Sequence, residues 1–289
     1  MVNQIVRIIK RRRGETDYFY LQNSYREDGK VITKEKYIGK TIPTNIEEIK
    51  EEFGLEVKKS LYEKLENIKR NFQSEWETYP ETVKEKEKLE IAIAFTYNTN
   101  AIEGSKITLE ETRDIIKNSI SPPKSLKDVK ETENHSKVFL DMLSTKVKIS
   151  DNLILKWHKN IFNETKHDIA GTFRTYLVRV GNYIAPNWQN VTPLITQLTH
   201  FVNNSNLNPV ELAARAHYRF EKIHPFGDGN GRVGRLVMNN ILWRNEYPML
   251  IIEYKKRNQY YKALQKDEER FVNYFIRKYV STHKRYLHK

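Results

Sequence analysis

The sequence contains no cysteine among its 289 residues. Thiol nucleophiles, structural disulfides and cysteine-ligated metal sites are therefore excluded. The sequence also lacks any run of 18 apolar residues, and its polar N-terminus has no signal-type stretch. We therefore expect a soluble, cytoplasmic protein with no membrane attachment. Glycine is scarce, at 11 residues, so a local concentration of glycines is informative.

Basic residues outnumber acidic ones. The chain has 50 Lys and Arg against 37 Asp and Glu, a formal net charge of +13 at pH 7. Such a surface suits anionic partners, among them nucleotides, acidic proteins and nucleic acid. A generally lysine-rich proteome would explain the same excess.

Residues 1–43 differ from the rest of the chain. Three short segments rich in β-branched and aromatic residues, with a turn signal at Glu27–Lys30, predict a small antiparallel β-meander. This segment carries ten Lys and Arg against five Asp and Glu. A basic β-ribbon can bind nucleic acid. The favoured interpretation is a solvated edge that resists aggregation, so nucleic acid is the less favoured partner.

From residue 44 onward the apolar residues recur at helical spacing. We interpret 44–84 as a helical linker region and predict later helices near 83–103, 126–145, 151–164, 191–205, 209–223, 230–246 and 257–285. The alternating stretch from 171 to 189, punctuated by Gly181 and Pro186, predicts a β-hairpin or flap. The fold class is therefore mainly α.

Four of the 11 glycines fall in KIHPFGDGNGRVGRLVMN, residues 222–239. Gly227, Gly229 and Gly231 alternate with other residues just before a predicted helix. Glycines at this density let backbone N–H groups converge, and the positive end of the helix adds to them. The segment thus predicts an anion site best suited to phosphate.

Charged side chains surround this predicted anion site. Arg232 and Arg235 lie three residues apart, hence on one helix face, where guanidinium groups can bind phosphate oxygens. Asp228 is a carboxylate among these cationic groups, and Mg²⁺ bound to phosphate would explain it. His224 lies at the edge and has the ordinary pKa of a general base. His217 falls on an apolar stripe and is interpreted as a core histidine.

The stretch HPFGDGNGRVGR, residues 224–235, resembles the signature of the Fic-domain family. The order of the predicted helices over about 85–285 is also similar to that family. The resemblance implies an all-helical Fic core with a β-hairpin flap, preceded here by the β-meander. Most members transfer AMP from ATP to a Ser, Thr or Tyr hydroxyl of a target protein, so we expect a nucleotidyltransferase.

The resemblance also implies roles for individual residues. His224 would be the base, Phe226 would hold the loop in the core, and Asp228 would bind Mg²⁺ (or Mn²⁺) on the α- and β-phosphates. Gly229, Asn230 and Gly231 would form the anion nest, with Arg232 on the β-phosphate and Arg235 on the γ-phosphate. The flap would comprise Val180, Gly181, Asn182 and Tyr183, and the adenine side would be lined by Tyr260 and Tyr261.

A second motif, TNAIEG, spans residues 99–104. Glu103 ends a predicted helix, where a carboxylate opposes the macrodipole at a cost of roughly 0.3–1 kcal/mol. The placement indicates a cationic partner, although a solvated helix end is the alternative. The stretch resembles the Fic inhibitory motif, which implies that Glu103 pairs with Arg235 and blocks the γ-phosphate. The inhibitory helix would be about 85–104, within a Fic domain at 85–285.

The sequence therefore predicts an autoinhibited protein adenylyltransferase that uses ATP and acts on an unknown target protein. Removal of AMP from a modified target, self-modification and a homodimer are left open. Two alternatives also stay open. One is a Fic-fold transferase of another nucleotide or phosphate group, and the other is a nucleic-acid-binding regulatory protein that uses the basic N-terminal β segment.

Overall fold

The computed structural model describes residues 6–27 and 30–287. The chain divides into two compact units, 1–67 and 68–289, with the division inside the first helix. Part of the turn predicted at Glu27–Lys30 lies outside the described residues, because 28 and 29 are not among them.

The first unit contains the predicted meander. Its strands are β1 (Arg7–Arg13), β2 (Thr16–Glu27) and β3 (Lys30–Gly39), in the order β1-β2-β3 and antiparallel throughout. Leu21 of β2 forms a buried cluster with Phe53 and Val57 of the first helix, because alternate side chains of a strand share one face. The predicted β-meander is thus confirmed.

The remaining elements are mainly helical, as predicted. They are α1 (Ile46–Glu77), α2 (Glu81–Ile102), α3 (Leu109–Arg113), α4 (Leu126–Thr145), α5 (Asp151–Phe162), β4 (Arg179–Val180), β5 (Tyr183–Ile184), α6 (Val191–Asn204), α7 (Pro209–Ile223), α8 (Asn230–Arg244), α9 (Arg257–Leu264) and α10 (Glu268–Thr282). Strands β4 and β5 pair antiparallel, which confirms the hairpin. Among the described residues, no helix combines the length and apolarity needed to cross a bilayer.

One expected helix is wrong. The stretch 257–285 is not continuous but divides into α9 and α10. Asp267 has extended backbone angles, and its Oδ1 accepts a hydrogen bond from the backbone N–H of Arg270 at 2.9 Å. An N-cap of this kind satisfies a free amide at a helix start, so the chain begins a new helix there.

The core of the second unit is built around α8. Every residue of α8 except the last is buried, including the polar Asn239. The Asn239 side chain donates to the carbonyl of Leu250 at 3.1 Å and accepts from its N–H at 2.9 Å. Burial of an amide is tolerated because it is hydrogen-bonded in this way. A helix buried on all sides gives its first turn a fixed position.

Helix α2 carries Glu103 at its end and packs against α4. Phe95 and Phe139 stack with ring centroids 4.3 Å apart, and both are fully buried. Next to Phe95, Thr96 hydrogen-bonds to His135 at 3.1 Å, and one turn further along α2 Asn100 donates to Thr132 at 3.2 Å. These contacts fix the end of α2 relative to the rest of the second unit.

We expect Phe139→Ala to destabilise the protein by about 3–5 kcal/mol, because it removes a stacked ring and leaves a cavity between α2 and α4. Urea unfolding followed by circular dichroism measures the change. The matched control is Leu126→Ala on the same helix, since Leu126 is 70% exposed and its truncation should change little. Equal effects of the two substitutions would contradict this packing.

Candidate active site

The loop between α7 and α8 begins at His224, which caps α7 in a left-handed conformation with φ of +51°. The guanidinium of Arg174 fixes this loop. It donates to the carbonyls of His224 and Pro186 at 2.8 and 2.7 Å, and to that of Tyr176 at 2.7 Å. Arg174 is 4% exposed. Through these hydrogen bonds it joins the His224 loop to the chain on both sides of the flap. Sequence analysis missed Arg174, because its partners are backbone carbonyls that carry no residue signature.

Phe226 is fully buried and stacks on His158 of α5, with centroids 3.8 Å apart. The backbone N–H of Gly171 donates to Nδ1 of His158 at 2.9 Å, so the ring proton is on Nε2, which donates to the carbonyl of Asp228 at 3.0 Å. Burial lowers the pKa of His158 to about 4, which keeps this arrangement neutral. His158 therefore shapes the loop through Phe226 and the backbone of Asp228.

Gly229 and Asn230 make the turn into α8. Gly229 has φ of +78°, and a Cβ there would lie 2.3 Å from a ring carbon of Phe162. The side chain of Asn230 accepts from the N–H of Phe226 at 2.8 Å and donates to its carbonyl at 2.9 Å. The Asn230 side chain thus closes the loop on itself. The backbone N–H of Asn230 remains available to an anion, because amides in the first turn of a helix have no intrahelical acceptor.

Arg232 is 5% exposed and donates to the carboxylate of Glu131 on α4. Lys166 bridges this carboxylate to the loop, with Nζ 2.9 Å from Glu131 Oε1 and 2.8 Å from Asp228 Oδ2. Asp228 Oδ1 accepts from the N–H of Gly229 at 2.6 Å. Glu131 and Lys166 were not expected from the sequence, since they lie far from the motif along the chain.

Asp228 is the carboxylate predicted to bind Mg²⁺. Burial acts to raise its pKa, but the hydrogen bond and charge of Lys166 outweigh burial and hold the pKa below its ordinary value. Its side chain is 48% exposed. Among the described residues no cluster of three His, Asp or Glu could hold a metal ion. A single exposed carboxylate fits Mg²⁺ where phosphate oxygens and water complete the octahedron.

Arg235 is 1% exposed, and Glu103 is its acidic partner. Nη2 of Arg235 lies 2.5 Å from Oε1 of Glu103, and the same guanidinium donates to the side-chain oxygen and the carbonyl of Thr99, both at 3.3 Å. The carboxylate at the end of α2 thus has the cationic partner that its unfavourable position at a helix C-terminus indicates. Glu103 is thus ion-paired, with 28% of its side chain still exposed to solvent.

Gly231 shows how close this carboxylate comes to the loop. A Cβ on Gly231 would lie 2.2 Å from Oε1 of Glu103 and 3.0 Å from Nη1 of Arg235. The Glu103 carboxylate therefore lies against the first turn of α8, where the macrodipole and free amides favour an anion. Glu103 occupies part of the predicted phosphate site.

His224 has its Nδ1 buried against the protein. Burial lowers its pKa below the ordinary 6.5, although the nearby carbonyl of Glu221 partly offsets this. A neutral imidazole at neutral pH is the form that can accept a proton. Glu221 itself has a buried Oε1 with no hydrogen-bond partner, and burial raises its pKa to about 7.

The flap lies beside this loop. Gly181 turns between β4 and β5 with φ of +58°, and Val180 is 45% exposed at its edge. Asn182 is exposed, while the hydroxyl of Tyr183 donates to the carbonyl of Lys222 on α7 at 2.9 Å. The hairpin is therefore attached to the helix that ends in His224.

The two tyrosines expected on the adenine side differ in position. Tyr260 is 1% exposed and hydrogen-bonds through its hydroxyl to Nε2 of His217 at 2.8 Å, so its ring is not available for stacking on a base. His217 is the core residue predicted. Tyr261 is 39% exposed and donates to the carbonyl of Ile102, next to Glu103, at 3.0 Å. Of the two tyrosines, Tyr260 is therefore buried and Tyr261 is exposed.

Comparisons with known proteins identify the family of the segment that contains this loop. The Fic/DOC family profile matches residues 148–242. The chain is similar to proteins named protein adenylyltransferase Fic, with 32% identity over 202 residues in Drosophila grimshawi and 33% in Drosophila mojavensis, covering 66% of this chain. It spans only 41% and 39% of the lengths of these two curated relatives.

Among solved structures, Fic-1 from C. elegans has a TM-score of 0.70 at 25% identity, covering 84% of this chain and 75% of that one. A Fic-domain-containing signaling protein from Bacteroides thetaiotaomicron has a TM-score of 0.68 at 24% identity, covering 78% and 96%, and supports the fold alone. The chain therefore carries a Fic domain, which the family profile matches at residues 148–242.

We expect the stability of Glu221→Gln to exceed that of the wild type at pH 8 and to approach it near pH 5. The folded protein holds the Glu221 proton up to a pKa of about 7, whereas the ordinary value is 4.5. This stabilising contribution is therefore full below pH 4.5 and is lost as the pH rises through 7. Calorimetric melting at both pH values measures it.

The matched control is Glu85→Gln, because the side chain of Glu85 is 72% exposed. It should shift the melting temperature equally little at both pH values. A Glu221→Gln effect that is independent of pH would contradict the raised pKa.

Proposed function

We propose that this protein transfers AMP from ATP to a Ser, Thr or Tyr hydroxyl of a target protein. Support comes from the relatives named protein adenylyltransferase and from the Fic signature, whose His224, Asp228, Arg232 and Arg235 surround one loop in the structure. Because this chain spans 41% of such a relative, the activity of the whole relative is extended here as a proposal.

In the proposed reaction His224 removes the proton from the target hydroxyl. The hydroxyl oxygen then forms a bond to the α-phosphorus of ATP while the bond from that phosphorus to the bridging oxygen breaks, and pyrophosphate leaves. The exposed edge of the flap at Val180 would align the target backbone by strand addition. Positioning and charge stabilisation supply most of the catalysis in transfers of this kind.

The phosphate groups would lie over the first turn of α8, where the backbone N–H groups of Asn230 and Gly231 meet the positive end of the helix dipole. Arg232 would contact the β-phosphate and Arg235 the γ-phosphate. Asp228 would hold Mg²⁺ or Mn²⁺, which when bound would neutralise charge on the α- and β-phosphates. Of Tyr260 and Tyr261, it is Tyr261, 39% exposed, that could contact the base.

The contact between Glu103 and Arg235 carries the proposal of autoinhibition. At 2.5 Å, Glu103 uses the guanidinium that the γ-phosphate would need, and it lies within the anion site itself. With the γ-phosphate excluded, ATP would bind with its α-phosphate out of line for attack. The Arg235 side chain is 1% exposed and that of Glu103 is 28% exposed, so loss of Glu103 would leave a buried guanidinium without its acidic partner.

We expect Glu103→Gly to increase transfer at least about tenfold, the factor that corresponds to 1.4 kcal/mol. The measurement is the incorporation of α-labelled ATP into the protein itself and into lysate proteins. The control is the double variant Glu103→Gly/His224→Ala, in which transfer should fall by about 10²–10⁴ because the base is lost.

A Glu103→Gly protein that binds ATP and is no more active than the wild type would contradict autoinhibition. UTP, CTP and GTP are tested in parallel. If the label is transferred from one of these nucleotides and not from ATP, the protein is still a transferase, but the assignment of AMP as the transferred group is overturned. Mass spectrometry of the labelled proteins identifies the target and shows whether the protein modifies itself.

We expect the acid limb of the transfer rate in Glu103→Gly to have its midpoint below pH 6.5, the ordinary pKa of histidine. Burial lowers the pKa of His224, so the neutral base persists to lower pH and is lost only as the pH falls through the lowered value. Single-turnover rates at saturating ATP measure the profile. A midpoint above 6.5 would contradict the assignment of His224 as a buried base.

A further inference from the structure

We propose that Lys166 is the resident counter-cation of Asp228, which holds this carboxylate when metal is absent and excludes a divalent cation until the triphosphate arrives with it. The inference rests on the proposed function, since it concerns the carboxylate assigned there to Mg²⁺. It depends on four charges that the fold brings together from α4, α8 and the two loops.

The position of Lys166 is strongly constrained. Its side chain is 13% exposed, and its ammonium contacts Asp228 Oδ2 at 2.8 Å and Glu131 Oε1 at 2.9 Å. The same nitrogen lies 4.4 Å from the ring centroid of Phe162, a cation–π distance. Glu131 is held in turn by the hydroxyl of Thr165 at 2.9 Å. Lys166 is thus attached at three points, only one of which is the candidate metal ligand.

The charges in this cluster balance. Asp228 and Glu131 supply two negative charges, while Lys166 and Arg232 supply two positive ones. Arg232 also lies 3.9 Å from Asp228, through Nη2 and Oδ1. A free divalent cation at Asp228 would bring two further positive charges close to Lys166 and Arg232, whose side chains are 13% and 6% exposed, and like charges at such distances repel. Metal alone is therefore disfavoured.

A metal that arrives with ATP is a different case, because the triphosphate brings more negative charge than the metal brings positive. Asp228 can then leave Lys166 for the metal, since Lys166 keeps Glu131 and Phe162 as partners. Lys166 is in this sense a positioning residue. It sets the condition under which the carboxylate becomes a metal ligand.

The test uses the full chain without nucleotide. Thermal melting is followed against increasing Mg²⁺ for the wild type, Lys166→Met, Lys166→Arg and the exposed-lysine control Lys159→Met. Removal of the ammonium leaves two carboxylates without their shared cation. We expect about 10 mM Mg²⁺ to raise the Tm of Lys166→Met by roughly 2–4 °C relative to the same variant without Mg²⁺. The wild type, Lys166→Arg and Lys159→Met should change little, and Lys166→Met/Asp228→Asn should lose the gain.

A folded Lys166→Met that Mg²⁺ does not stabilise, or a wild type that Mg²⁺ stabilises equally, overturns the proposal. If Lys166→Met does not fold, Lys166→Gln is measured in the same way and decides by the same criterion. Calorimetry adds a second readout. Mg²⁺ should strengthen ATP binding by a larger factor in Lys166→Met than in the wild type, and an equal or smaller factor again overturns the proposal.

These results separate this inference from the proposed function. Mg²⁺ stabilisation of Lys166→Met together with no AMP transfer by Glu103→Gly would refute the transferase and leave the role of Lys166. AMP transfer by Glu103→Gly together with no Mg²⁺ stabilisation of Lys166→Met would support the transferase and refute the role of Lys166.

Discussion

The ion pair between Glu103 and Arg235 is the interaction on which the state of this site depends. Each partner is in an unfavourable place by itself: Glu103 ends α2, where a carboxylate opposes the dipole, and Arg235 is 1% exposed inside α8. Nη2 of Arg235 donates to Oε1 of Glu103 at 2.5 Å, so each charge has an opposite partner. Because Gly231 has no side chain, the Glu103 carboxylate also lies against the first turn of α8, where the proposed function would place phosphate. Structural stability and proposed inhibition thus arise from one contact.

Two other charged residues of the loop and of α8 are also paired within the fold before any ligand arrives. Arg232 has Glu131, and Asp228 has Lys166. Under the proposed function, binding of a nucleotide would therefore exchange the partners of these charges instead of filling an empty pocket. Such an exchange requires a ligand that brings both charge and metal, which favours a nucleoside triphosphate over smaller anions.

The sequence predicted those features of the fold that depend on residues close together in the chain. Helical periodicity, the hairpin and the motif from His224 to Arg235 were all predictable, because backbone conformation and nearby side chains determine them. Features that depend on distant residues were not. Asp267 divided a continuous helical pattern, and Lys166 entered the site from a loop far from the motif. Tyr260 proved buried, since its hydroxyl has a partner in His217 that spacing alone does not indicate.

The central claim is that Glu103 keeps Arg235 from the γ-phosphate, and a comparison of ATP with ADP tests it most directly. Calorimetric titration of both nucleotides with Mg²⁺ is performed on the wild type and on Glu103→Gly. The account predicts nearly equal affinities for ATP and ADP in the wild type, and a preference for ATP of about tenfold or more in Glu103→Gly, equivalent to 1.4 kcal/mol. The same preference for ATP over ADP in both proteins would contradict it.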